Sequence, residues 1–585
     1  MSGNSEERGV VYEPDEAPPA AQSAGLGLQY ALLSLSGMIL IPLVVFRAAD
    51  APENLLIWAV FASMVVGGLI TALHGFPLGR FGAGYVLITG PTGTAIAVSA
   101  DALDAGGIAL LASLMLVASL FQFAFSLKLS MFRRVLTPTV SGVVLMLIPV
   151  TIMPVVFGML DDLPDGTPLG ASLIPALATL VALGGIMVRG TPKLRPWAPV
   201  VALAVGSLVS SMYGLYDVER VVDAGWLGIP ADRPAFGLDF GPAFLQLLPA
   251  FILVYLVFTV RTVSGALGIQ GVSWRKRRAV DFRSVQGAVA ADALSNLLSS
   301  LAGTVPNGVR ATTIALTEFS GNAARQVGIV LGLALAALAF FPKILALVLA
   351  VPGPVIAGYI VVLISAIFTL GMKMVVSDGL DRRQVLVAGI SFWVGVGCQY
   401  GFIFPEVVPD LAGGLLNSGL TAGGLTAIVL SLVMELMAPR RRKTETRLGV
   451  GALPVIRQFV ADFSARSGWG EAMANRLDAA SEETLLSLLV DEEGTATGER
   501  RLLVTARREG KDAVLEFIAS GGEENIEDRL ALLAEGAAEE VMERQVSLRL
   551  LRHHASEVRH RQYHDADFIT VRVSAPTLRS AAPDG

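Results

Sequence analysis

The sequence predicts an all-α polytopic membrane protein of about 14 transmembrane helices, arranged as a 7+7 inverted repeat and followed by a small cytoplasmic α/β domain. Three observations predict it. The 585 residues are 53% hydrophobic and only 16% charged, with a mean hydropathy of +0.62, which is too apolar for an ordinary soluble domain. Apolar runs of about 17 to 25 residues recur as far as Met437, long enough to cross a hydrocarbon core of about 30 Å. Two segments at matching places in the series are short and broken by Gly and Pro.

In chain order, residues 1–25 are polar and Pro/Ala-rich, with no basic stretch ahead of a cleavable apolar run, and read as a disordered cytoplasmic tail. Residues 26–440 form the transmembrane region. Its first seven spans are predicted at Gln29–Phe46, Leu55–Leu73, Tyr85–Ala100, Ile108–Leu127, Val135–Leu160, Ala171–Val188 and Ala198–Tyr213. The second seven are Phe244–Val260, Ser284–Leu301, Thr312–Phe319, Val327–Phe341, Val355–Leu370, Val385–Tyr400 and Thr421–Leu436. All must be helical, because lipid offers no partner to an unpaired backbone group. Residues 441–450 read as a linker, 451–578 as the soluble domain and 579–585 as a tail.

Basic and acidic loops alternate. Arg80, then Lys128 with Arg133 and Arg134, Arg189 with Arg195, the run Arg275 to Arg278, and Arg382 with Arg383 mark one side. Asp101 with Asp104, Asp161 with Asp162, and Glu406 with Asp410 mark the other. Positive loops stay inside, and the even count then puts both termini in the cytoplasm. The net charge of −6 and the dispersed basic residues exclude nucleic acid as a partner. The single Cys398 has no partner for an intrachain disulfide and reads as a small core residue.

The third predicted span opens YVLITGPTGTAIAV, and the tenth is preceded by AGTVPNGVRATTIAL. Broken helices at corresponding positions of two halves point to a solute site in which helix N-termini face each other at membrane depth. Ionisable residues within the spans mark function, since each costs at least about 2.5 to 3.5 kcal/mol to insert. They are Arg261, Asp292, Arg310, Glu318 and Glu435. Arg310 lies in the interrupted segment itself, whereas Arg261 reads equally as the first basic residue of a cytoplasmic loop. No metal-ligand cluster, phosphate loop or nucleophile elbow is present, so the sequence reads as neither an enzyme nor a cofactor protein.

Several stretches resemble the nucleobase-cation symporter family 2, the nucleobase/ascorbate transporters. GLQYALLSLSGMILIPLVV is similar to the family's first helix, with Tyr30 where a His is usual. TPTVSGVVLMLIP resembles its fifth helix. ADALSNLLSSLAGTVPNGVRATTIALTEFSGNAARQVG resembles its ninth and tenth, and VPGPVIAGYIVVLISAIFTLGMKM its twelfth. The resemblance implies a core and a gate domain that move against each other in an elevator-like manner, short strands leading into the third and tenth helices, and a homodimer. It implies proton- or sodium-coupled transport of uracil, xanthine, urate or a related base. Carried onto this sequence, the substrate-binding candidates are Tyr30, Thr89, Gly90, Thr92, Arg261, Ser264, Gly265, Asn307, Gly308, Val309, Arg310, Thr312 and Thr313, with Asp292 and Glu318 for coupling.

Some of these positions depart from the family. Arg261 stands where an acid holds the base, Gly265 where many members have Asp, and Arg310 where an aromatic is usual. Thr312 and Thr313 replace a Glu or Gln and the Asn after it. A carboxylate pairs with N–H groups of a base, whereas Arg and Thr donate to carbonyl or anionic oxygen. An organic or inorganic anion is therefore the alternative substrate, and a membrane sensor signalling through the C-terminal domain a second alternative.

That domain, from MANRLDAASEETLLSLLVDEEG to DFITVRVSA, resembles the GHKL-type ATPase domains of anti-sigma-factor kinases. Glu482 and Glu483 fit the family's helical box, but Leu486 and Ser487 stand near its metal-binding Asn, and the turn Ala519–Gly522 lacks the adenine-binding Asp. A degenerate, regulatory fold is expected. His553, His554, His560 and His564 fit no standard zinc spacing and read as a solvated helix face.

Overall fold

The structure is a computed structural model. It describes residues 10–574 except 128–136, 162, 164–166, 169, 192–193, 277, 311, 377–381, 404–417, 437–441, 490–500, 510–511, 520–549, 552 and 563–566. The chain divides into two compact units, Met1–Lys276 with Ser284–Leu436, and Arg277–Arg283 with Met437–Gly585.

Among the described residues, the regular elements of the first unit are helices and one two-stranded ribbon. Its elements are α1 (Ala20–Ala48), α2 (Glu53–Gly75), β1 (Ile88–Pro91), α3 (Ile96–Leu127), α4 (Pro138–Gly158), α5 (Gly170–Arg189), α6 (Ala198–Ser211), α7 (Val218–Asp223) and α8 (Pro242–Ser273). Then come α9 (Phe282–Ala302), β2 (Asn307–Arg310), α10 (Thr312–Ser320), α11 (Arg325–Leu338), α12 (Pro342–Leu349), α13 (Gly353–Val376), α14 (Arg382–Gln399) and α15 (Gly419–Leu436). Among the described residues, seven helices are long and apolar enough to cross a membrane, or eight if α11 and α12, bent by 79°, count as one span.

Local chemistry sets the boundaries. Pro138 opens α4 at a position that needs no N–H, and the Thr137 side chain accepts from the Val140 amide at 3.3 Å. α3 joins the third and fourth predicted spans across a kink at Gly106–Gly107, where Gly107 takes φ +65°. The C-terminal carbonyls of α12 are capped from elsewhere. Arg47 donates to Leu349 O and Val351 O, and Arg220 donates to Leu349 O while pairing with Glu53.

Lipid supplies no hydrophobic drive between helices, so close packing of small residues must hold them. Gly68 of α2 faces Gly332 of α11, and a Cβ on Gly68 would stand 2.6 Å from Gly332 O. Gly142 of α4 faces Gly371 of α13 in the same way, each virtual Cβ lying 2.7 Å from the other's carbonyl. Large apolar side chains such as Leu173, Leu177 and Val188 of α5 stay exposed, as a lipid-facing surface requires.

The second unit holds an antiparallel five-stranded sheet of order β3-β4-β5-β7-β6. Its strands are β3 (Arg442–Arg447), β4 (Arg501–Glu509), β5 (Asp512–Ala519), β6 (Glu557–Gln562) and β7 (Asp567–Val573). Helices α16 (Leu453–Ser467) and α17 (Glu471–Leu489) share a core with it, including Ile456, Leu477, Phe517 and Val571. α16 ends on Gly468 in the left-handed conformation at φ +69°.

Several expectations are corrected. From Val10 onward the N-terminal segment is hydrogen-bonded rather than disordered, with Val11 N donating to Gly321 O at 2.7 Å, and α1 begins at Ala20. Part of residues 441–450 is strand β3, not linker. The third predicted span is strand, not helix, over Ile88–Pro91. α8 runs 13 residues beyond its predicted end at Val260, because nothing from Arg261 to Ser273 breaks a helix, and Arg261 is thus mid-helix rather than in a loop. His560 is buried in β6 with its Nε2 3.7 Å from Asp567 Oδ1, not on a solvated helix face. The turn Ser520–Gly522, His564, the loop cluster Lys128 to Arg134, Asp162, Arg277, Glu406, Asp410, the Arg382 and Glu435 side chains and the 579–585 tail lie outside the described residues.

Candidate functional site

The two interrupted segments meet. β1 and β2 pair antiparallel, Ile88 opposite Arg310, Thr89 opposite Val309, Gly90 opposite Gly308 and Pro91 opposite Asn307. Beyond Pro91 a single 3-10 turn, Gly93–Ala95, leads into α3, and α10 begins two residues after β2. Gly303, at φ +65°, makes the turn out of α9 that β2 requires. Both strands are thereby fixed between helices at the depth where each half of the ribbon starts a new helix.

Alternate residues of a strand point to opposite faces. On one face of the ribbon lie Gly90, Thr92, Gly308 and Arg310. A Cβ on Gly308 would touch Thr92 Cγ2 at 3.6 Å, and one on Gly90 would come 3.9 Å from Arg310 Cδ. Arg261 reaches this face from α8, its Nη1 donating to Thr92 Oγ1 at 2.7 Å and to Thr94 Oγ1 at 3.3 Å. Arg310 extends toward α1, its Nη1 donating to Ser34 O at 3.5 Å, with Gly37 leaving the space its guanidinium fills. The two guanidinium groups are close enough to repel each other, and the Tyr359 phenol of α13 lies within electrostatic reach of Arg310. Among the described residues, neither arginine makes an ion pair with a carboxylate.

The other face is tied to the scaffold. Thr89 Oγ1 meets His74 Nε2 at 3.0 Å, and the Thr89 amide donates to Thr71 Oγ1 at 3.0 Å, both partners on α2. The Asn307 amide donates to Asn296 Oδ1 at 2.8 Å, and its Nδ2 donates to Ser295 and Ser299 at 3.2 and 3.0 Å, all on α9. Val309 packs on Gly265 of α8, where a Cβ would stand 2.8 Å from Val309 Cγ1. Asp292, fully buried on α9, accepts from Thr262 Oγ1 at 2.5 Å, with Arg261 in electrostatic reach. Its Oδ1 has no hydrogen-bond partner among the described residues.

The candidate residues therefore separate. Gly90, Thr92, Gly308, Arg310 and Arg261 share one face. Thr89, Asn307, Val309 and Gly265 hold the ribbon from behind. Thr313 is structural too, its hydroxyl donating to Arg310 O and accepting from the Ile88 amide, each at 3.0 Å. The Tyr30 hydroxyl donates toward Leu316 O at 2.9 Å and contacts Ser320 Oγ at 2.6 Å, so it buttresses α10. Ser264 is exposed and donates to Val260 O in its own helix. Thr312 and Glu318 lie on α10 with their side chains exposed at the protein surface. His74 was missed. It sits at the end of a predicted span, and only the fold reveals its contact with Thr89.

The sequence profile of the Permease family, Xan_ur_permease, matches residues 21–404. The chain belongs to this permease family. As a member it is a multi-pass membrane protein. It is 27% identical over 441 residues to the xanthine permease XanP of Escherichia coli (strain K12), covering 72% of this chain and 94% of that one. It is 25% identical over 443 residues to the uric acid permease PucK of Bacillus subtilis (strain 168), covering 73% and 99%. Among solved structures, the transmembrane domain of a cyanobacterium bicarbonate transporter, BicA, aligns with a TM-score of 0.43 and 17% identity over 72% of this chain and 99% of that domain.

Proposed function

We propose that this permease is a secondary active transporter of a nucleobase of the xanthine or urate type, held on the ribbon face that carries Thr92, Gly308 and Arg310. Its family, and relatives named for xanthine and uric acid, support the substrate class. The observation that carries the site is the pairing of β1 with β2, which joins the two broken segments. Arg261 and Arg310 donate to carbonyl oxygens of the base, which stacks over the bare backbone at Gly308. Asp292, buried and reached by Arg261, takes the coupling proton or sodium ion.

In this reading the short and bent helices complete 14 spans in two inverted sets of seven. A core domain carrying the ribbon moves like an elevator against a gate domain, in a homodimer. Both termini lie on the cytoplasmic side of the cell membrane. The C-terminal domain is a degenerate GHKL-like module that regulates transport and binds no nucleotide productively. Counterflow in proteoliposomes tests the central claim. Protein preloaded with xanthine takes up labelled xanthine saturably, and Arg310→Ala abolishes the uptake. Absence of flux for xanthine, urate and uracil alike overturns the reading.

A further inference from the structure

We propose that the site takes its base as a monoanion, because Arg261 and Arg310 flank Thr92 and Gly308 with more positive charge than the surroundings neutralise. The inference rests on the nucleobase reading above and adds the charge state of the guest.

The reasoning is a count of charges around one short ribbon. Among the described residues, Arg261 is bound only through neutral hydroxyls, Thr92 and Thr94. Arg310 is bound through one main-chain carbonyl, Ser34 O, with a phenol, Tyr359, nearby. The charged groups that act on Arg261 are Arg310 and Asp292. On the far face of β1, His74 contacts Thr89 and is screened from the arginines by the ribbon itself. With Asp292 ionised the cluster holds two cations and one anion, an excess of one. With Asp292 protonated the excess is two. Either way the described groups of the site carry net positive charge, and an uncompensated charge that is partly buried, as on Arg261 and Arg310, is costly unless a counter-charge enters with the guest.

Geometry adds to the count. Positions 308 and 310 share a face two residues apart, and Thr92, which Arg261 touches, lies against position 308. The two guanidiniums therefore bracket the bare backbone of Gly308, while Met38 packs over the neighbouring Gly90. A planar ring lying on Gly308 presents oxygen to both ends, and guanidinium forks prefer anionic oxygen to neutral carbonyl. A neutral base would leave the excess charge in place, whereas a monoanion cancels one positive charge, which is the whole excess with Asp292 ionised and half of it with Asp292 protonated.

The test is ligand binding to the purified full-length protein by thermal shift, with urate, xanthine, hypoxanthine, uracil and acetate as probes. Measurements at one pH below and one above the ionisation of xanthine separate charge from shape. Urate, anionic at both, is expected to bind at least about tenfold more tightly than uracil or hypoxanthine. Xanthine should tighten relative to urate as it ionises. Arg310→Gln and Arg261→Gln should each erase most of that preference, and Arg310→Lys should retain part of it. The pH comparison uses the unaltered protein, so a variant that fails to fold does not blunt it. Uracil or hypoxanthine binding as tightly as urate, or xanthine indifferent to pH, overturns the proposal. Acetate binding while no base binds would instead overturn the nucleobase reading and leave the anion requirement standing.

Discussion

Arg275 and Glu16, 259 residues apart, are joined by two parallel hydrogen bonds, Nη1 to Oε1 at 2.8 Å and Nη2 to Oε2 at 2.6 Å. The same guanidinium donates to Val10 O and Val11 O, and Asp15 pairs with Arg325 at 2.9 Å. Tyr12 O accepts from the Ala323 amide at 2.9 Å. The N-terminal segment thus links the connection after α8 to the turn between α10 and α11.

This link should be pH-dependent. The Arg275 hydrogen bond holds the Glu16 carboxyl below the usual value of 4.5. A lowered value stabilises the bound segment at pH above the ordinary glutamate range, and the stabilisation disappears as pH falls through the lowered value. Hydrogen-exchange protection factors at Tyr12 and Ala323, relative to the unstructured rate at the same pH, should be high near neutrality and low below that point. Glu16→Gln should exchange faster at neutral pH as well. Equal protection in both proteins would show that the ion pair does not hold the segment.

Gly37→Ala should displace the Arg310 guanidinium, because the added methyl would occupy its position. Xanthine affinity is expected to fall by about tenfold with little loss of thermal stability. A variant that binds like the parent would show that Arg310 needs no fixed seat on α1.

Asn307→Ala removes three hydrogen bonds' worth of order at the start of β2 only in part, since its amide still reaches Asn296. The lost partners Ser295 and Ser299 are buried, and a buried polar group left unpaired costs roughly 1 to 3 kcal/mol. The melting midpoint should drop accordingly in detergent. An unchanged midpoint would mean that the bonds to Ser295 and Ser299 do not help to hold the ribbon.

Gly332→Leu should separate α2 from α11, whose backbones touch at Gly68. Overpacking at such a crossing costs about 1 to 3 kcal/mol or more. A full-length protein that melts as before would contradict the close approach.

Much of this arrangement was legible in the sequence, and the exceptions share a cause. Apolar length marks the seven long helices, and the Gly/Pro breaks mark the two interrupted segments, although they read as broken helices and only the family resemblance implies strands there. Arg310 was singled out by its place in a broken segment. Residue type alone does not separate side chains on the Arg261 face of the ribbon from scaffold ties, so the sequence groups Tyr30, Thr89, Asn307 and Thr313 with Thr92 although their partners are helices and main chain. The polar composition of residues 10–16 signals disorder, and what orders them is a set of arginines hundreds of positions away. Arg261 resembled a loop residue because a charge commonly ends a span, but no Pro follows it before Ser273 and the helix continues. In RKTETR the charged residues alternate with partly buried ones, a pattern suited to an edge strand rather than a linker.

That edge strand constrains how the protein can be dissected. β3 begins six residues after α15 ends, and its partner β4 lies beyond both α16 and α17. Cutting the chain anywhere between 448 and 500 would leave one ladder edge on each fragment, two sticky ribbons seeking a mate. A clean excision of the C-terminal unit has to fall upstream of Arg442, between α15 and β3.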